Sequence, residues 1–244
     1  MSAPTPLLLL NGRHPHALLE HLQGQSTSEE GFGLPFHLAD GPLLDPLWNK
    51  VGELWAADGG ANALWRASLP AAAIVGDLDS LDPLARRWHE ERGARVLERP
   101  DQDHNDLEKA LDELAKTGHQ RCWVAAFEGG RLDMVLGLST RLAPGRTPEL
   151  RLAGEEQLVL PLARGSHHFT LEEGAGFSLI APQECRLSLQ GARWSHQDMR
   201  LAPGCRGISN RALGGALAIL VLEGWVLLTV KAPWGHAPMG EGAR

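Results

Sequence analysis

The sequence predicts two structural classes in series: an α/β portion, with a mostly parallel sheet flanked by helices, and then an antiparallel β-sandwich. Two observations carry this. As far as Leu142, short apolar runs alternate with stretches of helical period, and parallel neighbours need crossover connections of that kind. Beyond the turn-rich Pro144-Gly145-Arg146-Thr147-Pro148 the helical period vanishes, and short strand-like runs separated by Gly, Pro and Asn take over. The expected units are residues 1–145 and 149–244.

Pro6 to Leu10 reads as a strand, because its leucine run suits a strand covered on both faces. It ends at Asn11-Gly12. His16 to Leu22 reads as a helix, and the polar, Gly-rich residues 23–35 as a surface loop. Leu54 to Ala57, closed by Asp58-Gly59-Gly60, is a second strand. Ala71 to Val75, closed by Gly76-Asp77, is a third, and Ala94 to Leu97 and Cys122 to Phe127 follow. Between these last two, Asp106 to Thr117 places Leu107, Ala110, Leu111 and Leu114 on one helical face. Gly118 is its expected C-cap. Ser80 is the expected cap of a helix carrying Pro83 in its first turn. The second portion supplies strands at Glu149 to Leu152, Gln157 to Leu162, His168 to Leu171, Phe177 to Ala181, Arg186 to Leu189, Ala216 to Leu222 and Trp225 to Val230.

Apolar residues are 43% and charged residues 22% of the 244, enough for a proper core. The formal net charge of -7 argues against nucleic acid or an anionic membrane as a partner, since both need a basic face. Leu7 to Leu10 is too short for a signal peptide or a membrane span, so a cytoplasmic location is expected. Cys122, Cys185 and Cys205 have no metal or redox spacing and read as buried structural thiols.

Three acidic segments fall after the ends of expected strands, where a parallel sheet presents its ligands. In Ala57-Asp58-Gly59-Gly60-Ala61-Asn62 the glycines admit close backbone approach and the next helix start offers N–H groups to a phosphate; an ordinary turn capped by Asp58 explains it equally well. Gly76-Asp77-Leu78-Asp79-Ser80 carries two carboxylates two residues apart, which an extended backbone points the same way. Their repulsion calls for a cation, and Mg2+ prefers one or two carboxylates plus substrate phosphates. In Asp101-Gln102-Asp103-His104-Asn105-Asp106, Asn105 is the expected N-cap, with Glu108 completing a capping box. Asp106 then begins the helix, where the dipole favours a carboxylate with or without a metal. No GxxxxGK[ST] loop, complete GxGxxG or HExxH helix is present. His167 and His168 adjoin at a strand start, face opposite sides, and are poor joint ligands.

In this order and spacing the segments resemble the thiamine pyrophosphokinase family. The motifs that carry the likeness are Ala57 to Asn62, Gly76 to Ser80, Gln102 to Leu111, Gly129-Gly130-Arg131-Leu132-Asp133-Met134, and a late Ile208-Ser209-Asn210 turn. The resemblance implies an α/β nucleotide-binding catalytic domain, then a thiamine-binding β-sandwich. It also implies a homodimer with active sites at the subunit interface, and transfer of pyrophosphate from ATP to thiamine with release of AMP. Carried over by residue, Asp77, Asp79 and Asp106 would bind Mg2+, and Arg131 would clamp phosphate. Asp58, Gly59, Asn62, Asn105 and Asp133 would form the nucleotide site. Gln102, Ser209 and Asn210 would contact thiamine.

The chain departs from the family pattern at three points. Asn105 replaces a Thr, Met134 replaces a His, and Leu228 stands where the final strand often carries an aromatic; Trp225 is nearby. These departures motivate rival readings: a pyrophosphokinase for another heterocyclic alcohol such as a pterin, or a thiamine-binding homologue without catalysis. A phosphohydrolase reading of Asp77-Leu78-Asp79 is disfavoured by Leu81 and by the presence of only four lysines.

Overall fold

The computed structural model describes residues 5–13, 16–25, 32–33, 50–129 and 131–232. The first portion runs β1 (Thr5–Leu9), α1 (His16–Gln25), β2 (Phe32–Gly33), β3 (Lys50–Ala57), α2 (Gly60–Arg66), β4 (Ala73–Gly76), α3 (Pro83–Glu90), β5 (Arg95–Glu98), α4 (Asp106–Lys116), β6 (Arg121–Ala125), α5 (Leu132–Arg141) and β7 (Glu149–Ala153). The rest is strand: β8 (Gln157–Leu162), β9 (Gly165–Leu171), β10 (Gly176–Ile180), β11 (Cys185–Gln190), β12 (His196–Leu201), β13 (Asn210–Arg211), β14 (Gly215–Glu223) and β15 (Val226–Lys231).

Strands β7-β6-β1-β3-β4-β5 form a parallel sheet in that order. The chain steps from β1 through β3 and β4 to β5, then returns to lay β6 and β7 on the other side of β1. The order therefore reverses between β1 and β6, and the crevice at such a reversal is where open α/β sheets bind ligands. Beyond β7 the same sheet continues antiparallel through β8, β15 and β10 to β13, facing a second sheet ordered β12-β11-β14-β9.

The structure confirms the expected fold class and corrects several local readings. β7 was expected among the sandwich strands, yet it pairs parallel with β6 over Arg121–Ala125 and Glu149–Ala153. Its residues Leu150–Ala153 are buried on both faces, as an interior parallel strand requires. Of the expected loop 23–35, residues 23–25 finish α1 and 32–33 pair antiparallel with β3; the others lie outside the described residues. β12 escaped notice because it is mostly exposed and lacks apolar alternation. Cys205, expected inside, is exposed in the irregular segment between β12 and β13. In β9, His167 is buried and His168 exposed, as their adjacency required.

Alternation along β1 feeds two cores. Leu7 and Leu9 join a cluster that continues into the sandwich through Leu160, Phe169, Phe177, Leu187, Leu217 and Leu228. Leu8 and Leu10 join a second, under α4 and α5, with Leu107, Leu111, Leu114 and Leu138. Each fully buried leucine contributes roughly 2 kcal/mol, so this central strand anchors both layers.

At the opposite end of the sheet from the crevice, His119 Nε2 lies 2.9 Å from Glu53 Oε1, and the Trp55 ring meets the His119 imidazole edge-on. The hydrogen bond to His119 holds the Glu53 carboxyl below its ordinary 4.5. A depressed carboxyl stabilises the fold above its unfolded value and stops doing so as pH falls through the folded value. Glu53→Gln should therefore cost about 1 kcal/mol at pH 7 and progressively less below pH 4.5, as paired urea titrations would read.

Candidate active site

The carboxylates sit on turns at the C-terminal ends of β3 and β4 and at the start of α4. After β3, Asp58 takes a left-handed φ of 42° and Gly59 precedes the first turn of α2. A Cβ on Gly60 would lie 2.4 Å from the Leu9 carbonyl oxygen, so glycine lets α2 start directly against the end of β1. Asp58 does not cap α2, whose N-terminus has no side-chain cap. Its carboxylate turns to the next loop, where Oδ2 accepts from the Ser80 N–H at 3.3 Å. Asp58 is only 3% exposed, and its Oδ1 is buried without a hydrogen-bond partner. Burial, above all, pushes its carboxyl above the ordinary value, with Asp106 and Asp79 adding to the rise.

After β4 the two carboxylates converge, though not along an extended backbone. Leu78 between them adopts a left-handed φ of 66°, a conformation costing on the order of 1 kcal/mol for a non-glycine residue. Packing of the Leu78 side chain against the core holds the turn. Asp58, Asp77 and Asp79 bring one oxygen each within 4.8 Å of one another. The loop is strapped from outside: Asn62 Nδ2 donates to the Ser80 carbonyl at 2.8 Å and its Oδ1 accepts from Asp82 N–H at 2.9 Å. Asn62, carried over as a nucleotide contact, thus has both ends of its amide engaged in shaping the loop. Ser80 is not the helix cap. Asp82 caps α3 by accepting from Leu84 N–H at 2.8 Å, because Pro83 has no N–H and the residue just before it reaches the next donor. The Ser80 hydroxyl donates to Asp79 Oδ1 at 2.9 Å.

Asn105 caps α4 with the full capping box to Glu108, as expected. Asp106 opens the helix beside Asp58: a Cβ built on Gly76 would lie 2.9 Å from Asp58 Cβ and 3.4 Å from Asp106 Oδ1. That same oxygen accepts from Lys109 Nζ at 3.2 Å, and the Lys109 side chain is only 4% exposed. Lys109 was not singled out from the sequence, although a lysine three residues after an aspartate on a helix is a pairing signal. The carboxylate group that could hold a metal ion is Asp58, Asp77 and Asp79, whereas the expected trio was Asp77, Asp79 and Asp106; Asp106 stands alongside. Gln102 Nε2 reaches Asp77 Oδ2 at 3.4 Å.

A cavity of about 450 Å³ opens beside the carboxylates at the reversal between β1 and β6. Leu10–Gly12 and Ala126–Glu128 form its mouth, and α4 and α5 its sides. Gly12 is needed there: a Cβ would stand 2.2 Å from the Ala126 carbonyl oxygen. Asn105, Asp106, Arg131 and Asp133 line the cavity, and so do Arg141 and Arg146, which no motif marked. The Arg141 guanidinium is lowered from its usual value by burial and then by Arg146. These three arginines share the lining with four carboxylates, Asp106, Glu108, Glu128 and Asp133, so the cavity holds charges of both signs. Arg131 pairs with Asp133 through two hydrogen bonds, and the pairing holds the Asp133 carboxyl below the usual range. Met134 also lines the cavity. Gly130 lies outside the described residues.

Ser209 and Asn210 are elsewhere, next to and within β13 at the far end of the sheet. Eight inter-strand steps separate β13 from β4, ~38 Å along the twisted sheet. The described chain brings the acidic cluster, Gln102 and the arginine-lined cavity together, but not the Ser209–Asn210 turn.

Among solved structures, thiamine pyrophosphokinase from Bacillus subtilis has a TM-score of 0.71 at 18% identity, covering 93% of this chain and 99% of that one. Thiamin pyrophosphokinase from yeast gives 0.67 at 14% identity, covering 96% and 88%, and that from Candida albicans 0.66 at 15%, covering 94% and 89%. At such identities they show the shared fold. Residues 44–151 match the family model described as thiamin pyrophosphokinase, catalytic domain, and this span contains the first four motifs. Residues 44–151 are thus similar to the thiamin pyrophosphokinase catalytic domain.

Proposed function

We propose that this protein is a thiamine pyrophosphokinase that transfers pyrophosphate from ATP to thiamine with Mg2+, releasing AMP. The observation that carries the reading is the convergence of Asp58, Asp77 and Asp79 next to the arginine-lined cavity at the sheet reversal. The donor set suits the ion: all three groups are hard carboxylate oxygens, one has a buried orphan oxygen, and one oxygen from each lies within 4.8 Å of the others. Asp58, Asp77, Asp79 and Asp106 would hold it, and when bound it neutralises phosphate charge at the reacting centre.

The chain's own residues do the remaining work. Arg131, Arg141 and Arg146 draw the polyphosphate into the cavity, and Gln102 stands beside Asp77 to meet the alcohol. The thiamine hydroxyl oxygen bonds to the β-phosphorus while the bond from that phosphorus to the α,β-bridging oxygen breaks. AMP leaves with that oxygen, and the hydroxyl proton is released. Asp103 is exposed on the same loop as Gln102, whereas the Asp133 carboxylate is engaged by Arg131.

The substrate turn at Ser209–Asn210 lies too far along the sheet to reach this centre within one chain. A homodimer, in which the sandwich of one subunit meets the acidic cluster of the other, supplies both halves. No described helix is long and apolar enough to cross a membrane, and we place the protein in the cytoplasm. The test is AMP formation from ATP, with and without thiamine and Mg2+, run beside a panel of other heterocyclic alcohols including a pterin. AMP that requires both thiamine and Mg2+ supports the reading. AMP only with another alcohol would transfer the activity to that substrate. Thiamine binding without AMP would leave a non-catalytic homologue.

A further inference from the structure

A buried lysine stands beside the acidic centre, and its position is costly on two counts. Lys109 lies in the first turn of α4, where the helix dipole disfavours a cation. Its side chain is only 4% exposed, which strips the ammonium of water. The same helix shows the ordinary alternative. Lys116 pairs with Glu113 at the same three-residue spacing, but its side chain is 57% exposed. The other basic groups around Lys109 look outward as well. Arg99, His104 and Lys116 border a polar dent with it; Arg99 and Lys116 pair with Glu113, and His104 with Asp101.

What compensates Lys109 is negative charge. Its Nζ lies 3.2 Å from Asp106 Oδ1. Asp106 in turn stands close to Asp58, since a Cβ on Gly76 would lie 3.4 Å from Asp106 Oδ1 and 2.9 Å from Asp58 Cβ. A divalent ion balances two of the four carboxylates of Asp58, Asp77, Asp79 and Asp106, and the ammonium balances a third. The pairing also accounts for the place of Asp106 outside the group whose oxygens lie within 4.8 Å of one another: one of its oxygens is already committed to a cation.

We propose that Lys109 is a positioning residue that serves as the fixed internal cation of the acidic centre. It takes one oxygen of Asp106 in place of a metal ion, holds Asp106 beside Asp58, Asp77 and Asp79, and weakens the grip of the empty centre on free divalent ions. The proposal rests on the reading of these four carboxylates as a Mg2+ centre. Its consequence is that the ion is taken up chiefly in company with a polyphosphate, whose negative charge offsets the ammonium.

The test compares full-length wild type with Lys109→Met, Lys109→Gln and Lys109→Arg, without nucleotide, using Mn2+ as the probe in equilibrium dialysis. Met keeps the length without the charge, Gln keeps a donor for Asp106 without the charge, and Arg keeps the charge. Lys109→Met and Lys109→Gln should bind Mn2+ about tenfold more tightly than wild type, and Lys109→Arg within about threefold of it. The metal-free thermal midpoint of Lys109→Met should fall, because the carboxylates then repel without compensation, and its rise on adding Mg2+ should exceed that of wild type. A lysine that only packs would also lower the midpoint, but a loosened fold binds the ion more weakly, so the sign of the affinity change separates the two roles. Should Lys109→Met fail to fold, Lys109→Gln carries the comparison. Mn2+ binding that is unchanged or weaker in Lys109→Gln overturns the role of Lys109 and leaves the metal centre standing. A wild type that binds no Mn2+ at millimolar concentrations overturns the metal centre and the proposal together.

Discussion

Asp77→Asn is expected to lower turnover on the order of 10³-fold while the protein stays folded. The exchange keeps the shape of the side chain and its acceptor toward the Asp79 N–H, so the Leu78 turn survives. It removes one negative charge from a group of three whose oxygens lie within 4.8 Å. Without a cation that charge is a liability, so the metal-free thermal midpoint should hold or rise slightly. With Mg2+ the order reverses: a ligand bound only by the folded state raises the midpoint of wild type, and the variant should lose that rise. Loss of activity together with loss of the Mg2+-dependent shift identifies a metal ligand. A variant that keeps near-normal turnover would sink the assignment of Asp77 to the metal. Asp58→Asn discriminates further. If the buried orphan oxygen of Asp58 belongs to the ion's shell, its loss should match that of Asp77; if Asp58 only braces Ser80, activity should fall much less.

Much of this fold was legible because its signals are local. The leucine run of β1, the glycines at the ends of β3 and β4 and the Asn105 to Glu108 capping box each encode one element through short-range chemistry, and each element formed where expected. Legibility failed where a position depends on distant partners. β7 has no apolar alternation to distinguish a sandwich strand from a parallel one; its pairing with β6 decides. Ser80 and Asp82 are both good caps; Asp82 precedes Pro83 and caps the helix, while the Asn62 clamp holds Ser80 in the loop beside the carboxylates. Asp58 reads as a turn residue until the β4 loop folds over it. Arg141 and Arg146 belong to no motif and become notable only when the cavity between α4 and α5 exists to be lined.

The sheet order makes a second large prediction. Asp77 follows β4 and the Ser209–Asn210 turn adjoins β13, with eight strand steps between those strands, ~38 Å of sheet. Helices α2, α3 and α4 pack on β3, β4 and β5, at the acidic end of the sheet. If both groups serve one reaction, they must come from different subunits of a two-fold assembly, and inactive variants of the two kinds should complement each other. Asp77→Asn homodimers carry two sites damaged at the metal, and homodimers of a doubly substituted Ser209→Ala, Asn210→Ala chain carry two damaged at the substrate. Random exchange makes half of the dimers mixed, and each mixed dimer has one site with both damages and one with neither. With thiamine held below the wild-type KM, where a substrate-side variant is impaired, activity should recover to about a quarter of wild type, starting from two weakly active samples. The recovery should depend on subunit exchange, appearing after mild denaturation and refolding of the mixture and not on simple mixing if the dimer is tight. Activity that never exceeds the mean of the parents would mean that each chain completes its own site.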